Sequence, residues 1–232
     1  MAPSHLRVEH STAGYRQLLL ARPERRNALD PGLARALRDA LGEDETTLVM
    51  LSSADPRVFC AGADLGVPDA DRAAVSDLVY ECCEIMITRP GPVIAVVTGA
   101  AVGGGAQLAA AADLRIAGPG ARLRWVGPAG LGLAVGAWVL TDLVGRGIAM
   151  ELALTGRWVE AAEALALGLV NRVDDDPGQV AAGIAAELAT RDPQASGRVK
   201  SVAAAGGLLG RLQAEREANR SAWAQVIAPA AG

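Results

Sequence analysis

Three consecutive glycines, Gly103-Gly104-Gly105, join an apolar run that begins Pro92-Val93-Ile94-Ala95-Val96-Val97 to an alanine-rich run ending at Asp113. The first run reads as a buried strand and the second as a helix. Glycine lets another group approach the main chain closely, and the first N–H groups of a helix lack intrahelical acceptors. Such a junction can hold a developing negative charge. It is not a familiar nucleotide loop, because the Gly-x-Gly-x-x-Gly spacing is missing and no Lys-Ser or Lys-Thr pair follows. The same glycines also suit close packing of a helix on a sheet, and the segment by itself leaves both uses open.

Other chemistry is narrowed by residue type. His5 and His10 are the only histidines, and Cys60, Cys82 and Cys83 show no ligand or framework spacing, so metal sites and structural disulfides are not expected. A net charge of −4 without a basic block argues against nucleic-acid binding. Lys200 is the only lysine, so a polyanionic ligand must be held by arginine or by main-chain N–H groups. No apolar run is long enough to span a bilayer, and Met1–Arg7 lacks the apolar core of a secretory signal. A cytoplasmic location is expected, with no membrane or nucleic-acid partner.

Two further segments bear on the glycine junction: Leu20-Ala21-Arg22-Pro23-Glu24-Arg25-Arg26-Asn27-Ala28-Leu29 and Phe59-Cys60-Ala61-Gly62-Ala63-Asp64-Leu65. Together, in this order and spacing, the three segments resemble the enoyl-CoA hydratase/isomerase family, the crotonases. Similarity continues from Val144 to Gly156 and from Gly168 to Val173. The resemblance implies an α/β fold, a crotonase-type spiral of ββα turns with a helical C-terminal region. Its division would be a core over 1–175 and a helical region over 176–232 that serves oligomerisation and covers the pocket.

By that resemblance the substrate is an acyl-CoA thioester. No separate cofactor is implied, since coenzyme A is part of the substrate. The N–H groups of Ala63 and Gly104 would bind the thioester oxygen, while Arg25, Arg26, Ala28, Ala61, Ala63, Asp64, Leu65 and Gly104 would line the path of the ligand. Asp64 has a second use, as a cap for the helix after its loop. Cys60 has no neighbouring base in the sequence and reads as a small packing residue. A homotrimer or a dimer of trimers is the family assembly.

The departures are chemical. Family hydratases carry a glutamate three residues after the middle glycine, and Gln107 stands there; an amide cannot take a proton at neutral pH. The second family glutamate falls near Trp125–Leu133, yet no Asp or Glu occurs between Leu114 and Thr141. General acid–base groups are commonly worth about 10²–10⁴ in rate. The expectation is therefore a thioester enolate former other than a simple hydratase, a lyase or an isomerase, or alternatively a non-catalytic acyl-CoA-binding protein. Trp125 and Trp138 either shape the acyl pocket or pack in the core.

These groups need elements to hold them. Leu6–Glu9 and Tyr15–Ala21 read as a hairpin. Asp30-Pro31 starts a helix with Leu33, Leu37 and Leu41 on one face and Gly42 at its end. Thr47–Leu51 is a strand, Asp69–Thr88 a helix, and Leu114–Ala117 and Arg122–Val126 are strands. Helices are expected at Gly136–Leu143, Gly147–Leu154 and Glu160–Leu167, then near Gln179–Thr190, Pro193–Ala205 and Leu208–Val226.

Overall fold

A computed structural model describes residues 5–128 and 130–227. Strands β1 (Leu6–His10) and β2 (Arg16–Leu20) form the antiparallel hairpin, with Leu6 opposite Leu20. A single 3-10 turn over Pro23–Arg25 leads to α1 (Pro31–Glu43). Asp30 caps α1 by accepting from the Leu33 N–H, and Pro31 occupies the position where a missing N–H costs nothing. Gly42 does not end this helix: the chain turns away at Asp44, whose carboxylate accepts from Thr46 and Thr47.

Three successive strand pairs follow, β3 (Val49–Ser53) with β4 (Val58–Cys60), β5 (Val93–Val97) with β6 (Ala100–Val102), and β7 (Leu114–Ala117) with β8 (Arg122–Arg124). The first member of each pair joins a sheet ordered β1-β2-β3-β5-β7-β10, and the second a sheet ordered β4-β6-β8-β9. Strands β9 (Val159–Glu160) and β10 (Arg172–Val173) complete the two sheets. The chain thus winds as a spiral, each turn giving one strand to each sheet. The expected strand at Arg122–Val126 stops at Arg124 because Trp125 turns into the core, where it is fully buried.

Helices α2 (Asp69–Thr88) and α3 (Gly104–Ala111) lie between these turns. β5 is buried along its whole length, as a strand with parallel neighbours on both sides must be. Its side chains alternate: Val93, Ala95 and Val97 enter the main core, whereas Ile94 and Val96 pack with Ala181 and Ala185 of α6 (Pro177–Ala189). Helix α4 (Ala137–Thr155) is interrupted at Gly145, whose φ of 74° is non-helical, so two shorter helices meet there as the sequence suggests. α5 (Ala161–Leu167), α7 (Pro193–Ala204) and α8 (Leu208–Ile227) finish the chain, and α8 packs on α2 and α4. Among the described residues no helix is long and apolar enough to cross a membrane.

Candidate active site

The Arg22–Leu29 loop and the Phe59–Leu65 loop are tied into one unit. The N–H of Ala61 donates to the Arg26 carbonyl at 3.1 Å, that of Leu29 to Gly62 at 2.7 Å, and that of Asp64 to Leu29 at 2.9 Å. Asn27 is fully buried in the left-handed region, φ 53°, and its amide donates to the Ser53 hydroxyl and the Phe59 carbonyl. The Arg22 guanidinium bonds the Ala28 carbonyl, Asp64 at 2.7 Å and Asp30 at 3.2 Å. Asp64 also accepts from the Gly66 N–H, so its carboxylate holds its own loop. It does not cap α2, which starts at Asp69 behind Pro68. Burial would raise the Asp64 pKa, but the Gly66 N–H and the charges of Arg22 and Arg25 outweigh it and hold the carboxyl below its usual range.

The triple glycine divides its labour. Gly103 takes φ 54° and turns the chain out of β6. Gly105 faces β4, where an added Cβ would lie 2.4 Å from the Cys60 carbonyl oxygen. That glycine is needed for packing. Gly104, between them, would meet only ordinary contacts, with Leu29 and Val79 each 3.5 Å from an added Cβ. The two bends lie against each other, since a Cβ on Gly62 would be 2.7 Å from the Val102 carbonyl oxygen and 3.5 Å from the Gly104 nitrogen. Neither the Ala63 N–H nor the Gly104 N–H finds an acceptor among the described residues.

Both of those residues line a cavity of about 280 Å³. Its walls are mainly apolar, with Leu29, Val79, Val126 and Leu133 among them. Its polar members are Arg72, Ser76, Gln107, Asn219 and Trp223, and no Asp or Glu is on it among the described residues. Gln107 is buried on α3, one turn after Gly104, and its Oε1 accepts the Trp138 indole N–H at 2.8 Å. An indole can only donate, which settles the amide's orientation. Trp138 and Trp125 are both core residues off the cavity wall.

Trp138 also bonds a second polar cluster, which the sequence did not advertise. Glu215 of α8 accepts from the Tyr80 hydroxyl at 2.9 Å and from the N–H groups of Gly136 and Trp138 at 2.8 and 3.1 Å. Asn219 bonds both the N–H and the carbonyl of Ala134, and donates to Tyr80. Burial pushes the Glu215 pKa up despite these hydrogen bonds, and burial beside Glu215 pushes Tyr80 up. Glu215 itself does not line the cavity. Asn219 and Trp223, four residues apart, share one face of α8, but nothing in the sequence tells which face meets a site more than 80 residues upstream.

Outside the cavity, across Ala61, Ala63 and Leu65, is a depression of about 340 Å³ lined also by Glu24, Arg25, Arg26, Ala28, Asp64 and Gly66. All the residues expected on the coenzyme A path therefore border one of two adjoining hollows. Cys60 is buried, donates to the Asn27 carbonyl and has its thiol pKa pushed up to about 12 by burial. Its burial fits a small packing residue. No group of metal-ligating side chains occurs among the described residues.

Comparison with known proteins follows the same lines. The enoyl-CoA hydratase/isomerase family profile matches residues 11–230. A protein named probable enoyl-CoA hydratase echA6 from Mycobacterium leprae is 38% identical over 169 residues, covering 69% of this chain and 68% of that protein. One named probable enoyl-CoA hydratase 2, mitochondrial, from Arabidopsis thaliana is 38% identical over 176 residues, covering 71% and 58%. The crystal structure of an enoyl-CoA hydratase from Mycobacterium avium subsp. paratuberculosis K-10 superposes with a TM-score of 0.85 at 28% identity, covering 99% of this chain and 97% of that one.

Proposed function

Because the chain belongs to the enoyl-CoA hydratase/isomerase family, we propose that it binds an acyl-CoA thioester and stabilises the thioester enolate with the N–H groups of Ala63 and Gly104. The reaction is other than simple hydration. The observation that carries this reading is the pairing of two N–H groups, unsatisfied among the described residues, with a cavity that has no carboxylate of those residues on its wall. Fixed donors aimed where charge develops are worth about 3–4 kcal/mol each in the barrier. The acyl group lies in the apolar cavity and the pantetheine leaves past Leu65, toward Arg25 and Arg26.

Hydration by the family route asks the position of Gln107 to take a proton, which an amide does not do. Lyase or isomerase chemistry, in which the substrate or solvent moves the proton, fits the groups present. The locked Gln107 also suits a second reading, a non-catalytic acyl-CoA-binding protein. Turnover of a panel of enoyl- and malonyl-type thioesters separates the two: product from any member supports the enzyme. Micromolar binding with no product from all of them leaves the binding protein, and no binding at all sinks both. Family resemblance supports a homotrimer or a dimer of trimers, which light scattering would count.

A further inference from the structure

Resting on the thioester reading above, we propose that the site selects acyl groups carrying an acceptor oxygen on the third carbon of the chain, a keto or carboxylate oxygen, through the side-chain N–H of Gln107. The Gln107 carbonyl oxygen already accepts from Trp138, so the side of the amide that is wholly free for a ligand is its NH₂ group. That group has no acceptor among the described residues, and Gln107 lines the cavity. Three residues of helix advance about 4.5 Å, and helical side chains lean toward the N-terminus. The amide therefore leans back toward the Gly104 N–H, beside the atoms just beyond the thioester carbon.

The rest of the cavity points the same way. Trp223, buried at its wall, has an indole N–H without an acceptor among the described residues. Arg72 at the wall adds a cation, partly engaged by Asp69 and the Leu65 carbonyl. Against these donors the wall has no side-chain carboxylate among the described residues, only the Ser76 hydroxyl and the amide oxygens of Gln107 and Asn219, and both amides already accept one bond. A saturated acyl chain would leave the donors unsatisfied on closing the site, whereas an acceptor oxygen fills one of them. Trp138 is then a positioning residue: it never touches the ligand but decides which end of the amide the ligand meets.

Isothermal calorimetry of the full chain with acetoacetyl-, malonyl- and butyryl-CoA tests this. The first two should bind about tenfold or more tighter than the third, the worth of one well-placed hydrogen bond. Gln107→Met, close in volume, should erase that preference, so that the three thioesters bind alike. Trp138→Phe should narrow the preference by freeing the amide to rotate, a change in ratio that a merely structural loss would not produce. Gln107→Glu keeps a partner for Trp138 yet presents a negative oxygen. It should therefore weaken malonyl-CoA more than acetoacetyl-CoA, because two carboxylates then face each other. Equal wild-type affinity for the three thioesters, or uniform weakening in Gln107→Met, overturns the proposal while leaving thioester binding intact. Failure of every thioester to bind overturns the parent reading and this one with it.

Discussion

Two buried polar clusters share Trp138, whose main-chain N–H bonds Glu215 and whose indole bonds Gln107, and they differ in one respect. Around Glu215, Tyr80 and Asn219 the polar atoms are paired with one another or with the chain from Ala134 to Trp138. Around Ala63, Gly104 and Gln107, donors are left over and face a cavity. A perturbed buried carboxylate is often the first candidate for catalysis, and by that criterion Glu215 would be chosen. Its satisfied hydrogen bonds argue otherwise. An unpaired buried donor costs stability, so donors left over at a cavity suit a ligand that fills them, whereas a satisfied network holds elements together.

Glu215→Ala should therefore cost about 3–5 kcal/mol of stability, because it strips the acceptor from the Gly136 N–H, the Trp138 N–H and the Tyr80 hydroxyl. Thermal melting would show it. A variant that melts like the parent but has lost all turnover would break the comparison and make Glu215 part of the chemistry.

Next in size is the contrast inside the triple glycine. Gly105→Ala drives a methyl to 2.4 Å from the Cys60 carbonyl and should cost roughly 2–3 kcal/mol in chemical denaturation. Gly104→Ala makes ordinary contacts with Leu29 and Val79, so it should cost under about 1 kcal/mol while narrowing the ligand cavity. Equal stability losses for both would remove the distinction between a packing glycine and a ligand-facing one.

A smaller effect concerns the clamp of α8 on α2. Hydrogen bonds from Arg216 lower the Asp77 pKa to about 2, with Arg220 adding to this, and burial opposes the shift. The folded value lies below the unfolded one, so the contribution is present above pH about 4 and is lost as pH falls toward 2. Asp77→Asn should remove about 1 kcal/mol at neutral pH, allowing for solvent screening, and flatten that acid limb. Urea melts at pH 7 and pH 3 would check it. Smallest of all, iodoacetamide at pH 7 should leave Cys60, Cys82 and Cys83 unmodified in the folded chain, since burial pushes all three thiols up. Rapid labelling would show that the core beside the Arg22–Leu29 and Phe59–Leu65 loops opens.

Much of this arrangement was legible in the residues. Asp30-Pro31 marked the start of α1, the spacing of Val75, Leu78, Val79 and Cys82 marked α2, and the unbroken apolar run at Val93–Val97 marked a strand buried on both faces. These signals are local: caps, periodicity and hydrophobicity act within a few residues. Gly42 and Trp125 misled the same reasoning, because a helix end and a strand end were set by Asp44's own hydrogen bonds and by a core side chain's burial.

The sequence by itself settled which chemical groups the chain owns: two glycine-bearing bends, a glutamine in place of a glutamate, and a stretch of 28 residues, Leu114 to Thr141, without a carboxylate. Only the tertiary structure decided which way Gln107 faces, since Trp138 is 31 residues away and its indole orients the amide. It also decided that Asn219 and Trp223, from the far end of the chain, join the same cavity wall. The reason is physical. Composition and local propensity fix what a segment can offer, but the satisfaction of a buried donor depends on a partner that only chain-wide packing can bring within reach.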